Sequence, residues 1–357
     1  MIKVGILGAT GSVGQRFIQQ LQNHPWFTLT ELAASERSAG KKYHEAVKWF
    51  LDEPMPDSVK NMTIKLCDPL ALKCDLVFSG LDAEVAGEIE ENFAANGFAV
   101  ISNSKNHRFD ADVPLLIPEV NPDHIDIIDH QRKNRGYKKG FIVTNPNCSA
   151  IGLVIALKPL HDAFGVKKVF VTTMQALSGA GYPGVPSLDI IGNVIPFIGG
   201  EEAKIEAEAL KLLGALENNE FKNAPMLLSA HCNRVHVQDG HLECVSIEFE
   251  KKPWSNKEQM VEMVKKTLAE FSALPQELKL PFAPEHPIYV MSEENRPQPR
   301  ADKNKDKGMA VSVGRIRPCN IFDVRFALLS HNTIRGAAGA AILNAELLYK
   351  KQYLGHL

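Results

Sequence analysis

The chain has 357 residues, 45% of them apolar and 23% charged, with a formal net charge of −2 and a pI near 6.6. That length supports two domains with a core each, and the near-zero charge excludes a general basic field for nucleic acid or an anionic membrane. No apolar run is long enough to span a bilayer, no signal-type start is visible, and the cysteines (Cys67, Cys74, Cys148, Cys232, Cys244, Cys319) lack C-x-x-C or zinc spacing, so a reduced cytoplasmic protein without a metal is expected.

Ile2 to Leu7 reads as a buried parallel strand. Gly8-Ala-Thr-Gly11-Ser-Val-Gly14 follows, and helical periodicity runs from Gln15 to Asn23. Strand, glycine turn and helix are the context of a dinucleotide fingerprint. Gly8 and Gly11 let the backbone approach a pyrophosphate, and Gly14 lets helix and strand pack closely. Gly8, Thr10, Gly11, Ser12 and Val13 are the candidate cofactor contacts of this turn. The second strand, Thr28 to Ala34, runs into Ser35-Glu36-Arg37-Ser38. Arg37 with two hydroxyls suits a 2′-phosphate, hence NADP; Glu36 is the competing residue, since an acid here binds the ribose 2′-OH of NAD.

Asp75 to Gly80 and Phe98 to Ser102 read as further strands, with a helix from Glu84 to Asn96 stopped by Gly97. Alternating strand and helix over residues 1–150 argues a doubly wound parallel sheet. The strand-like run ending at Thr144 leads into Asn145-Pro-Asn-Cys148-Ser-Ala150, and an apolar helical run leads out from Ile151 to Leu160. Cys148 therefore sits at a helix N-terminus, where free N–H groups and the helix dipole lower a thiol pKa. The plainer alternative is a small buried residue.

Beyond it, Lys168 to Gln175 is strand-like, and Ala176 to Pro186 is a glycine- and proline-rich loop of a kind that usually serves function. A helix is expected from Glu201 to Gly214. Ala230 to Val237 and His241 to Lys251 read as two strands joined at Asp239-Gly240, a hairpin signal. Lys257 to Phe271 is an amphipathic helix, Glu293 to Lys307 an exposed loop, and Met309 to Gly314 and Phe322 to Ser330 two more strands. This half reads as α+β with a mostly antiparallel sheet, one face of which needs covering by helices or another subunit. The small-residue helix from Thr333 to Tyr349 is expected to return and pack on the first domain. The expected division is 1–150 plus 333–357 for the cofactor and 151–332 for catalysis and dimerisation.

GATGSVG, SNSKNHR, NPNCSA, QALSGAGYPGVP, GGEEAK, CNRVHVQDGH and SHNT occur in that order between residues 8 and 333. Together they resemble the aspartate-β-semialdehyde dehydrogenases, chiefly the fungal and archaeal branch. The resemblance implies NADPH-dependent reduction of β-aspartyl phosphate to the semialdehyde and phosphate, a step of lysine, threonine and methionine biosynthesis, in a homodimer or homotetramer. It implies that Cys148 is the nucleophile, that His241 is the acid/base, taking the thiol proton and later protonating the oxygen, and that Gln175 orients the acyl group. Arg234 is implied to hold the substrate α-carboxylate and Glu201 its amino group. Lys204 and Arg108, with Asn103 beside them, are implied to bind phosphate; Ser178, Gly179 and Asn332 are implied to lie near the nicotinamide. On residue chemistry alone, Glu201 and Lys204 are equally an i,i+3 surface pair, and His241 a surface histidine. An acyl-CoA reductase on the same scaffold, such as malonyl-CoA reductase, would keep Cys148, His241 and Arg234 but leave Lys204 and Arg108 without purpose. N-acetyl-glutamyl-phosphate reductase shares the chemistry but is expected to carry different flanking motifs. A non-catalytic NADP-binding sensor is the remaining alternative.

Overall fold

A computed structural model describes residues 1–354, so 355–357 of the expected cofactor unit lie outside the described residues. Six strands build the first sheet: β1 (Ile2–Leu7), β2 (Phe27–Ala34), β3 (Lys65–Leu66), β4 (Leu76–Ser79), β5 (Ala99–Ser102) and β6 (Phe141–Thr144). All pair in parallel, in the order β3-β2-β1-β4-β5-β6. Every residue of β4, β5 and β6 is buried, as a parallel sheet covered on both faces requires. The helix Ala83–Ala95 covers one face, setting Phe93 and Ala94 against Leu7, Val77, Val100 and Ile142. The helices Ser12–Gln20 and Gly339–Lys350 share the core of the other. The C-terminal helix thus returns to the first sheet, as its composition suggested. Strand order reverses between β1 and β4, which opens a crevice at the carboxyl ends of the strands. The glycine turn sits there. Gly8 has φ +75°, and a Cβ on Gly14 would lie 2.3 Å from the Gly8 carbonyl oxygen, so only glycine admits this approach of helix to turn.

The second sheet follows the helix Cys148–Phe164. Its strands are β7 (Val166–Gln175), β10 (Leu227–Arg234), β11 (His241–Phe249), β12 (Ile288–Val290), β13 (Val311–Pro318) and β14 (Val324–Ser330); β8 (Ala215–Glu217) and β9 (Glu220–Lys222) form a separate ribbon. The order is β10-β7-β11-β14-β13-β12. The three inner pairings are antiparallel and the two outer ones, β10–β7 and β12–β13, parallel, so the sheet is mixed.

The hairpin expected at Asp239-Gly240 does not form. β7 lies between β10 and β11, pairing with both, so residues 235–240 cross the end of a strand laid down some sixty residues earlier. On the way the Leu177 and Ser178 N–H groups donate to the Val237 and Gln238 carbonyls, which ties the crossing to the glycine-rich loop. The loop expected over 293–307 also holds a short helix, Pro299–Asp302, whose Asp302 is buried against Arg296.

The helices Cys148–Phe164, Glu201–Leu212 and Lys257–Ala269 pack on one face of this sheet in a single core. The opposite face is open: Phe170 is 38% and Leu227 69% exposed, and Cys244 is exposed beside them. Among the described residues no helix is long and apolar enough to cross a membrane.

Candidate active site

The site lies where the two sheets meet. Asn147 caps the helix Cys148–Phe164, its side-chain oxygen accepting the Ser149 and Ala150 N–H groups at 2.9 and 3.2 Å. Cys148 is the first helical residue. Gly336 lies against it so closely that a Cβ there would be 2.7 Å from the Cys148 Cβ.

The second sheet brings three polar side chains to the sulfur. Arg234 and Gln175 are paired across β10 and β7, and His241 begins β11, one position beyond the Leu242–Met174 pair. His241 Nε2 is 3.2 Å from Cys148 Sγ. The Ala176 N–H donates to His241 Nδ1 at 3.0 Å, and Arg234 donates to the Ala176 carbonyl at 2.6 Å. The backbone of one residue, Ala176, therefore fixes both side chains. Because Nδ1 accepts, the neutral ring carries its proton on Nε2, facing sulfur. In that tautomer His241 donates to sulfur; it takes the thiol proton only if the Ala176 contact is given up. A Cβ on Gly179 would meet Arg234 at 2.9 Å and the His241 ring at 3.1 Å, so the glycine-rich loop closes over the pair.

The helix N-terminus alone does not set the thiol. Burial pushes the Cys148 pKa up to about 12, and Glu201 adds to this; Arg108 and Arg234 pull it down. Burial likewise drives His241 down to about 3, helped by Arg234 and His331. Burial thus opposes the lowering of the thiol pKa expected from the local turn. One layer deeper, Glu243 is fully buried with neither carboxylate oxygen hydrogen-bonded; burial, reinforced by Glu201, raises its pKa well above the usual range.

A cleft of about 400 Å³ joins Cys148 to the glycine turn. Asn103, Arg108, Glu201 and Lys204 line its Cys148 end; Gly11, Ser12 and Val13 line the turn, with Ser178, Gly179 and Asn332 also in the lining. Gln175, Arg234 and His241 sit just behind, buried. Asn147 Nδ2 donates to Glu201 at 2.7 Å, and Lys204 lies 3.3 Å from the other Glu201 oxygen. Arg108 is 7% exposed and its Nε has no partner, so a buried donor remains for an anion. Asn332 is already engaged: its oxygen accepts the Gly240 N–H at 2.8 Å and its amide donates to Ser178 at 2.8 Å. It braces the loop as well as facing the cleft.

The glycine turn fits a dinucleotide. Gly11 stands at the N-cap without a side chain to satisfy the helix, which leaves the first-turn N–H groups for a pyrophosphate. Ser35, Arg37 and Ser38 follow β2 on the same sheet edge, outside the cleft; Ser35, Glu36 and Arg37 are exposed and Ser38 is buried.

Reading the sequence passed over Asn147 and Glu208. Glu208 is fully buried and contacts both Arg108 and the Asn147 backbone. The available signal was the spacing of Glu201, Lys204 and Glu208, which share a helix face.

Residues 3–128 match the family model "Semialdehyde dehydrogenase, NAD binding domain", and residues 157–335 match "Semialdehyde dehydrogenase, dimerisation domain". The aspartate-semialdehyde dehydrogenase of Methanothermobacter thermautotrophicus is 53% identical over 351 residues, spanning 98% of this chain and 99% of its own. That of Schizosaccharomyces pombe is 50% identical over 355 residues, spanning 98% of each. The crystal structure of the Candida albicans aspartate-semialdehyde dehydrogenase with NADP superposes with a TM-score of 0.90 at 46% identity, over 99% of both chains.

Proposed function

The chain belongs to the aspartate-semialdehyde dehydrogenase family, and we propose that Cys148 carries the acyl group while β-aspartyl phosphate is reduced to aspartate β-semialdehyde. It is an oxidoreductase that uses NADP(H). The observation that carries the reading is one cleft holding a nucleophile against His241 at 3.2 Å, with Arg108 and Lys204 in the lining.

In this reading Arg234 pairs with the substrate α-carboxylate, and Glu201, held by Asn147, takes its ammonium. Arg108 and Lys204, with Asn103 beside them, take the phosphate. His241, in the Nδ1–H tautomer reached when the Ala176 contact opens, takes the thiol proton on Nε2, and the resulting Nε2–H stabilises the Cys148 thiolate together with Arg108 and Arg234. The thiolate attacks the acyl carbon, the carbon–oxygen bond to phosphate breaks, and a thioester remains. Gln175 orients the acyl oxygen. NADPH, held at the turn by Gly8, Thr10, Gly11, Ser12 and Val13 and by Ser178, Gly179 and Asn332, supplies hydride. His241 faces the oxygen that gains charge, and collapse of the hemithioacetal frees the aldehyde and the cysteine.

The mainly open face of the second sheet and the match to a dimerisation domain support a homo-oligomer, a dimer or tetramer. Residues 1–150 with the returning C-terminal helix serve as the cofactor unit and 151–332 as the catalytic unit, in the cytoplasm.

Two assays separate phosphate from CoA as the leaving group. Phosphate-dependent oxidation of aspartate semialdehyde with NADP is the expected activity. CoA-dependent oxidation of malonate semialdehyde, with no phosphate-dependent rate, contradicts it. Ser35, Arg37 and Ser38 are the proposed 2′-phosphate ligands. Arg37→Ala is expected to raise KM for NADPH roughly tenfold, about 1.4 kcal/mol, and that for NADH much less. Equal losses with both cofactors would remove Arg37 from this role.

A further inference from the structure

Helix Glu201–Leu212 carries a charged stripe, Glu201, Lys204, Glu208 and Lys211, on one face. The first two line the cleft. The last two are buried against the segment from Asn103 to Val113, which comes from the other sheet. Lys211 donates to the carbonyls of Arg108, Asp110 and Val113 at 2.8, 3.3 and 3.0 Å, which holds the backbone of that segment. Glu208 does something different. One carboxylate oxygen accepts from Arg108 Nη1 at 2.7 Å, and the other accepts the backbone N–H of Asn147, the residue before Cys148. Arg108 Nη2 meanwhile donates to the Asn103 carbonyl at 2.9 Å. Two of the guanidinium nitrogens are thus tethered on the protein side, and Nε is buried without a partner.

We propose that Glu208 is a positioning residue for the leaving phosphate: a single buried carboxylate aims the Arg108 guanidinium into the cleft and fixes its distance from the Cys148 helix. The proposal rests on Arg108 as a phosphate ligand. A guanidinium with no such tether has several rotamers and points at the anion for only part of the time. Through the Asn147 N–H, the same carboxylate, which belongs to the second unit, ties the anion site to the segment that carries Cys148. A carboxylate beside a phosphate site costs some anion affinity, and the two-point tether on Arg108 and Asn147 explains its presence there.

The test is steady-state kinetics of phosphate-dependent semialdehyde oxidation by Glu208→Gln, Arg108→Lys and the double variant. Gln keeps an acceptor for the Asn147 N–H and loses the charged contact to Arg108. Glu208→Gln is expected to raise KM for phosphate roughly tenfold or more, while KM for NADP and the semialdehyde moves less than about twofold. In the double variant the two effects are expected to overlap rather than multiply, because Glu208 acts through Arg108. A purely structural role would shift the unfolding midpoint and leave the phosphate KM alone, and that result overturns the proposal. Multiplying effects overturn it too. If Arg108→Lys itself leaves the phosphate KM unchanged, the assignment of Arg108 falls instead. Should Glu208→Gln not fold, Glu208→Asp, which keeps the charge but draws it back by one methylene, is read by the same KM split.

Discussion

Cys148→Ser is expected to abolish turnover, with kcat lowered at least about 10⁴-fold, the scale seen when a covalent nucleophile is removed. A serine hydroxyl fits the same space beside Gly336, so the fold should hold. What it lacks is a reachable anion. Even the thiol is pushed up to about 12 by burial, and it ionises only with help from Arg108, Arg234 and the His241 N–H. An alcohol starts far higher and gains too little from the same neighbours. NADPH affinity should be unchanged, because the glycine turn that fits the pyrophosphate is a separate element from the nucleophile helix. Fluorescence titration of NADPH beside a turnover assay separates the two effects. Substantial turnover by the serine variant would contradict covalent catalysis; a lost cofactor site would show that the substitution had damaged more than the sulfur.

His241→Asn is the second large effect, an expected loss of about 10²- to 10⁴-fold in kcat, the range of a positioned acid–base group. Asparagine is too short to span the 3.2 Å contact to Sγ while still accepting the Ala176 N–H. Cys148 should also react more slowly with iodoacetamide, since its thiolate loses a donor. His241→Gln discriminates further. Its amide can donate but cannot release a proton. If donation to sulfur and oxygen is the main contribution, as the Nδ1 contact to Ala176 argues, Gln should recover part of what Asn loses. Equal inactivity of the two would favour proton transfer as the larger share, and kcat within tenfold of wild type for both would remove His241 from the chemistry.

Local features were legible in the sequence. The run from Ile2 through Gly14 specifies strand, turn and helix within a few residues, and the structure places that turn at the switch point between β1 and β4. The continuous apolar runs of β4 to β6 announce strands buried on both faces. The expected helix start at Cys148 is present, with Asn147 as its cap. What failed was non-local. Asp239-Gly240 has the chemistry of a hairpin turn, yet β7 occupies the neighbouring position, and nothing between Ala230 and Lys251 reports that. The thiol pKa failed for the same reason: a helix N-terminus is a local property, while burial and the approach of Glu201 belong to the assembled fold. Glu208 escaped notice because its partners, Arg108 and Asn147, lie 100 and 61 residues away. The residue roles at the site came from the family resemblance; spacing alone left Glu201 and Lys204 as an ordinary helical pair.

The central claim is an acyl group on one sulfur. Protein incubated with aspartate semialdehyde and NADP without phosphate should accumulate the thioester, since the acceptor that would release it is withheld. Intact mass after acid quench should then show an added aspartyl group, which peptide mapping places on Cys148, and added phosphate should discharge it. A protein that turns over under these conditions with Cys148 unmodified, or that carries the adduct elsewhere, contradicts the account.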